Sequence, residues 1–194
     1  MRRLTAIVIL LLTAAGAVGP PSALVPRKSP ELAINEPSGK TTLLSSFKGK
    51  VVAIEFLFIK SAHCLRVAQT MNKLQKELGP RGFQAVAIAF PAPGSDADGP
   101  LVASMADYLK LTYPVGYTNH ENVDKYLARE KDDVLNIPQV VVIDRAGMIR
   151  AQSGGRPGNP QLETEGSLRT LLDSLLSEKP PAKTAASGTK KSQR

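Results

Sequence analysis

The 194-residue chain has one cysteine, two histidines and no tryptophan. A single sulfur, Cys64, excludes an internal disulfide, so the thiol is free, paired with another molecule, or buried. One cysteine with His63 and His120, far apart in the sequence, gives no metal-ligand spacing. No glycine-rich nucleotide loop and no Ser-His-Asp set is present, so neither metal nor cofactor is expected. Aromatics make up 5% of the chain, and the formal charge of +8 is not gathered into a basic stripe with interleaved aromatics. Nucleic acid is therefore excluded as a partner, and the charge favours solubility or weak attraction to acidic surfaces.

Long apolar runs are also scarce. Residues 4–12 form one, preceded by Arg2 and Arg3 and followed by small residues up to Ala23. That layout is a secretory signal over residues 1–23, with cleavage after Ala17 or Ala23. The run is short for a membrane span, so membrane contact is expected only through the leader if it stays uncut. The expected destination is periplasmic or secreted.

Beyond the leader, residues 24–38 read as an extended lead-in and 180–194 as a disordered basic tail. Between them lies one domain, 39–179. Residues 51–58 and 83–90 are near-continuous apolar strands joined by an amphipathic helix, the signature of a parallel pair buried on both faces. Ser61 caps that helix and Gly79-Pro80 stops it. A helix is expected over 101–111, a short strand over 113–117, and a helix capped by Asn119 running to Leu127. Strands 139–143 and 148–152 form a hairpin around Asp144 to Gly147, and 162–176 is a closing helix. The order predicts an α/β sandwich with a mixed sheet.

Two residues of the 51–78 stretch stand out. Glu55 interrupts an apolar strand, where a carboxylate is costly unless paired or functional. Cys64 sits in the first turn of the helix, where backbone N–H groups favour the thiolate and burial opposes it. Strand periodicity does not say which face Glu55 takes, and the balance at Cys64 stays open.

The strand, the Lys60-Ser61-Ala62-His63-Cys64 turn, the Lys48-Gly49-Lys50-Val51-Val52 lead-in, and Ile137-Pro138 ahead of Val140 to Asp144 together resemble the thioredoxin superfamily. The likeness is to its exported thiol-disulfide oxidoreductases of the TlpA type. It implies a three-layer α/β/α sandwich with a mixed central sheet, a cis bond at Pro138, and Ile137 beside the site to pair with an extended peptide. It implies that Cys64 is the second sulfur of a Cys-x-x-Cys motif and Glu55 the buried acid that exchanges its proton. His63 is similar to the histidine some relatives carry between their cysteines. The first sulfur is replaced by Ser61, whose hydroxyl cannot perform thiol exchange.

Three functions follow as expectations. The first is a monothiol oxidoreductase in which Cys64, assisted by Glu55, Ser61 and His63, forms mixed disulfides with exported protein thiols or small thiols. The second is a binding module whose groove beside Ile137 and Pro138 holds a peptide after the chemistry has lapsed. The third is a one-cysteine peroxidase resembling the peroxiredoxins, although Leu57 stands where their proline would be and Pro138 where their arginine would be.

Overall fold

The computed structural model describes residues 25–94, 97–129, 134–153 and 161–179. The expected leader and basic tail lie outside them. Eight strands form one mixed sheet among the described residues, in the order β1-β8-β7-β4-β5-β6-β2-β3. They are β1 (Arg27–Lys28), β2 (Ala33–Asn35), β3 (Thr41–Leu43), β4 (Val51–Leu57), β5 (Phe83–Ala89), β6 (Val115–Tyr117), β7 (Gln139–Ile143) and β8 (Met148–Gln152). The helices are α1 (Ala62–Leu78), α2 (Gly99–Tyr108), α3 (His120–Leu127) and α4 (Glu165–Ser177). Strands β4, β5 and β6 run parallel, while β7 lies antiparallel to β4 and turns back into β8.

All seven residues of β4 and all seven of β5 are buried, in keeping with runs that are apolar except at Glu55 and Gln84. Alternate side chains feed opposite cores. Val51, Ala53 and Leu57 pack with Cys64, Ala68 and Met71 of α1 and with Leu168 and Leu172 of α4. Val52, Ile54 and Phe56 pack with Val123 and Leu127 of α3. This is the expected three-layer α/β/α sandwich.

Residues 24–38, expected as a lead-in outside the domain, instead supply β1 and β2 to the sheet. Leu32 and Ile34 enter the core beneath α3. Pro26, Pro30 and Pro37 cut the segment into pieces too short to show strand alternation, which is why periodicity misses them. Gly116 of β6 makes the crossing possible: a Cβ there would lie 2.8 Å from Ile34 Cγ2 and 3.1 Å from the Asn35 carbonyl oxygen.

Asn72, buried on α1, fixes the loop between α2 and β6. Its Nδ2 donates to the Lys110 carbonyl at 2.9 Å, and its Oδ1 accepts from the Thr112 amide at 2.9 Å and the Thr112 hydroxyl at 2.8 Å. Lys110 holds φ at +50°, an uncommon conformation for a residue with a side chain. Asn72→Ala removes the clamp on both sides of it and lowers stability by about 1–2 kcal/mol in urea unfolding. Hydrogen exchange at the Thr112 amide rises with it.

Candidate functional site

The site forms where β4 ends. Phe58 and Ile59 leave the sheet half-buried, and the Ser61 amide donates to the Phe58 carbonyl at 3.1 Å, closing a tight turn. Ser61 keeps extended backbone (φ −87°, ψ 114°), and its Oγ accepts from the Cys64 amide at 3.4 Å. The hydroxyl therefore acts as the expected helix cap. Ser61→Ala loses this bond and costs about 0.5–1 kcal/mol, measured as a lower urea midpoint with unchanged slope.

Cys64 is fully buried under the first turn of α1. Burial pushes its thiol above the ordinary value, and a charge on Glu55 would add to the rise. Hydrogen bonds from the Ser61 hydroxyl and the Phe58 backbone offset only part of this. Burial thus outweighs the hydrogen bonds at the helix start, which favours the neutral thiol over the thiolate.

Glu55 is 0% exposed, and among the described residues neither carboxylate oxygen has a hydrogen-bond partner. Its place between Ala53 and Leu57 in β4 turns it to the α1 side of the sheet, the side that holds Cys64. Desolvation holds its carboxyl well above the usual range. Alanines line this part of the sheet: Ala53 in β4 and Ala85, Ala87 and Ala89 in β5, with Ala68 above. Their small side chains leave room for a glutamate under the helix.

Tyr113 was not singled out by sequence reasoning. It belongs to the same core, its hydroxyl donates to the Ala68 carbonyl at 3.1 Å, and burial raises its phenol well above normal, a rise to which a charge on Glu55 would add. Nothing in a Tyr-Pro dipeptide signals that placement.

The Ile137-Pro138 bond is cis. In the antiparallel ladder Glu55 faces Val140 and Phe56 faces Gln139, so Pro138 comes level with Leu57 where the site turn begins. Pro138 is buried and Ile137 half-buried. Gln139 is anchored through Nε2 to the Asn136 carbonyl at 2.6 Å. Cys64, Glu55, Ser61, Ile137 and Pro138 therefore gather at one end of the sheet.

His63 points into solvent beside Lys60. His120, distant in sequence, comes to the same end of the sheet at the start of α3. Its ring meets Phe90 edge-on at 4.9 Å, and Phe90 in turn packs on Phe58 at 4.8 Å. No group of three or more His, Cys, Asp and Glu among the described residues could hold a metal ion. No helix among them is long and apolar enough to cross a membrane.

The model of the AhpC/TSA family matches residues 25–152. A thioredoxin-like protein of Bacillus subtilis, YneN, is 26% identical over 124 residues, covering 64% of this chain and 68% of that protein. A crystal structure of a thiol:disulfide interchange protein from Chlorobium tepidum superposes with a TM-score of 0.64 at 22% identity, covering 78% of this chain and 97% of the other. The solution structure of a thiol:disulfide interchange protein from Bacteroides sp. gives 0.64 at 17% identity, over 84% and 95%. These likenesses establish the thioredoxin-like fold.

Proposed function

The chain belongs to the AhpC/TSA family, and on that premise we propose that its thiol-disulfide redox function runs through a single sulfur, Cys64, with Glu55 exchanging the thiol proton. One observation carries this reading. A fully buried carboxyl with no partner for either oxygen among the described residues is costly, and packing gives no reason to keep it next to the chain's only thiol.

In the forward step the Cys64 thiol gives its proton to the Glu55 carboxylate. The sulfur then attacks one sulfur of a partner disulfide, a partner thiolate leaves, and a mixed disulfide remains. Attack on that bond by a second thiol returns Cys64 to its starting state. Desolvation holds the Glu55 carboxyl well above the usual carboxylate range, so the ionised form that accepts the proton grows, and the reaction quickens, as pH rises. Ser61 supplies the cap and no sulfur. The leader-like residues 1–23 support export, with exported protein thiols or small thiols as partners. The missing first sulfur makes this a degenerate site of the TlpA type.

A second reading, a partner-binding module without turnover, draws on the burial of Cys64 and on the half-buried apolar Phe58, Ile59, Leu65 and Ile137. Peroxide reduction is disfavoured by the neutral thiol and by buried Leu57, which leaves no proline at the motif's first position.

Alkylation of Cys64 in the native protein separates the first two. The redox reading expects modification without unfolding, slower than a free thiol at pH 7 and accelerating into the alkaline range. It also expects one trapped mixed disulfide per chain with a small aromatic disulfide. Labelling that requires denaturant at every pH sinks the redox reading and leaves binding.

A further inference from the structure

At the opposite pole of the sheet from Cys64 lies a cleft of about 540 Å³, within the size range of small-molecule sites. Strand β4 starts beside it and ends at the thiol, so the two places are separated by about 20 Å, the length of seven strand residues. Its floor is apolar: Leu44, Val52 and Ile143 are buried there, and Phe47 is half-buried.

The polar lining is unevenly committed. Glu31 accepts from the Leu32 and Ser45 amides, both at 3.0 Å. Asp144 accepts from the Ala146 and Met148 amides and pairs with Arg150. Arg145 donates to the carbonyls of Leu175, Leu176 and Glu178 at the end of α4. Lys50 donates to Gln84 and sits 5.9 Å above the Phe47 ring. Lys28 and Lys48, by contrast, have no ion-pair partner among the described residues, and both line the cleft. Acids satisfied by backbone amides, beside cations that are not satisfied, leave a positive rim over an apolar floor.

We infer that this cleft is a second binding site, separate from the thiol site and independent of its chemistry, for a small amphipathic anion: a flat apolar body on Phe47, Val52 and Ile143 with a carboxylate or sulfonate at Lys28 and Lys48.

The test is NMR amide-shift mapping of the full chain with naphthylacetate and its uncharged amide, naphthylacetamide. Naphthylacetate gives saturable shifts at Gly49, Ile143 and Gly147 and none at Cys64. The amide binds about tenfold more weakly, and so does naphthylacetate to the Lys28→Glu/Lys48→Glu double variant. Raising salt from about 20 mM to 0.5 M weakens binding to the unaltered protein in the same direction. Equal affinity for the amide overturns the anionic assignment. Absence of saturable shifts in the cleft, or affinity indifferent to both the charge reversal and salt, overturns the site.

Discussion

Replacing Glu55 by leucine raises the stability of the folded chain by roughly 2–4 kcal/mol near pH 8, several degrees in unfolding temperature, and flattens its pH dependence. The carboxyl is fully buried among alanines, with no donor to either oxygen among the described residues. In the unfolded chain it ionises in the ordinary carboxylate range, while in the folded chain desolvation holds the proton to much higher pH. Between those two values the native state carries more protons than the unfolded state, so stability falls as pH rises. It is greatest below the unfolded pKa, declines through the raised folded pKa, and stops changing on this account above it. Leucine removes both the titration and the unpaired oxygens. Glu55→Gln removes the titration alone, so its curve flattens with a smaller gain. Urea unfolding at several pH values between about 5 and 9 measures all three. A leucine variant no more stable than the parent at pH 8, or a parent curve already flat, would show that the carboxyl finds relief the described residues do not supply.

The near-continuous apolar runs of β4 and β5 were legible because both faces of those strands are covered, and Ser61 and Asn119 cap their helices through side-chain bonds to the third residue on. What stayed hidden had physical reasons. A strand buried on both faces has no polar alternation, so the face taken by Glu55 depended on where α1 packs. The direction of the Cys64 shift turned on how completely the helix covers the sulfur, a tertiary quantity. Strands β1 and β2 have two and three residues and are defined by pairing, β1 with β8 and β2 with β3 and β6. His120 meets Phe90, the residue that follows β5, across a contact distant in sequence. The longer elements followed from local pattern, whereas the shortest strands and the chemistry of the site followed from pairing and burial.

Ser61→Cys gives the second large effect: disulfide reductase activity at least about a hundredfold above the parent, read as insulin reduction driven by dithiothreitol. The half-buried position 61 faces the amides that open α1, with exposed Lys60 and His63 beside it. A sulfur placed there gains the thiolate-favouring environment that Cys64 loses by burial. The introduced thiolate attacks the substrate disulfide and releases one substrate thiol. Cys64 then attacks the resulting mixed disulfide, freeing the second thiol and closing a 61–64 disulfide that dithiothreitol reduces. Glu55 takes the Cys64 proton in that second step. Adding Glu55→Leu therefore slows release of the mixed disulfide while sparing its formation, a split that single-turnover trapping resolves. Adding Cys64→Ser leaves the mixed disulfide without its internal exit and abolishes turnover by this route. If Ser61→Cys forms the 61–64 disulfide yet does not reduce insulin, the surface beside Ile137 and Pro138 no longer accepts a disulfide substrate, and the loss at position 61 was not the only one.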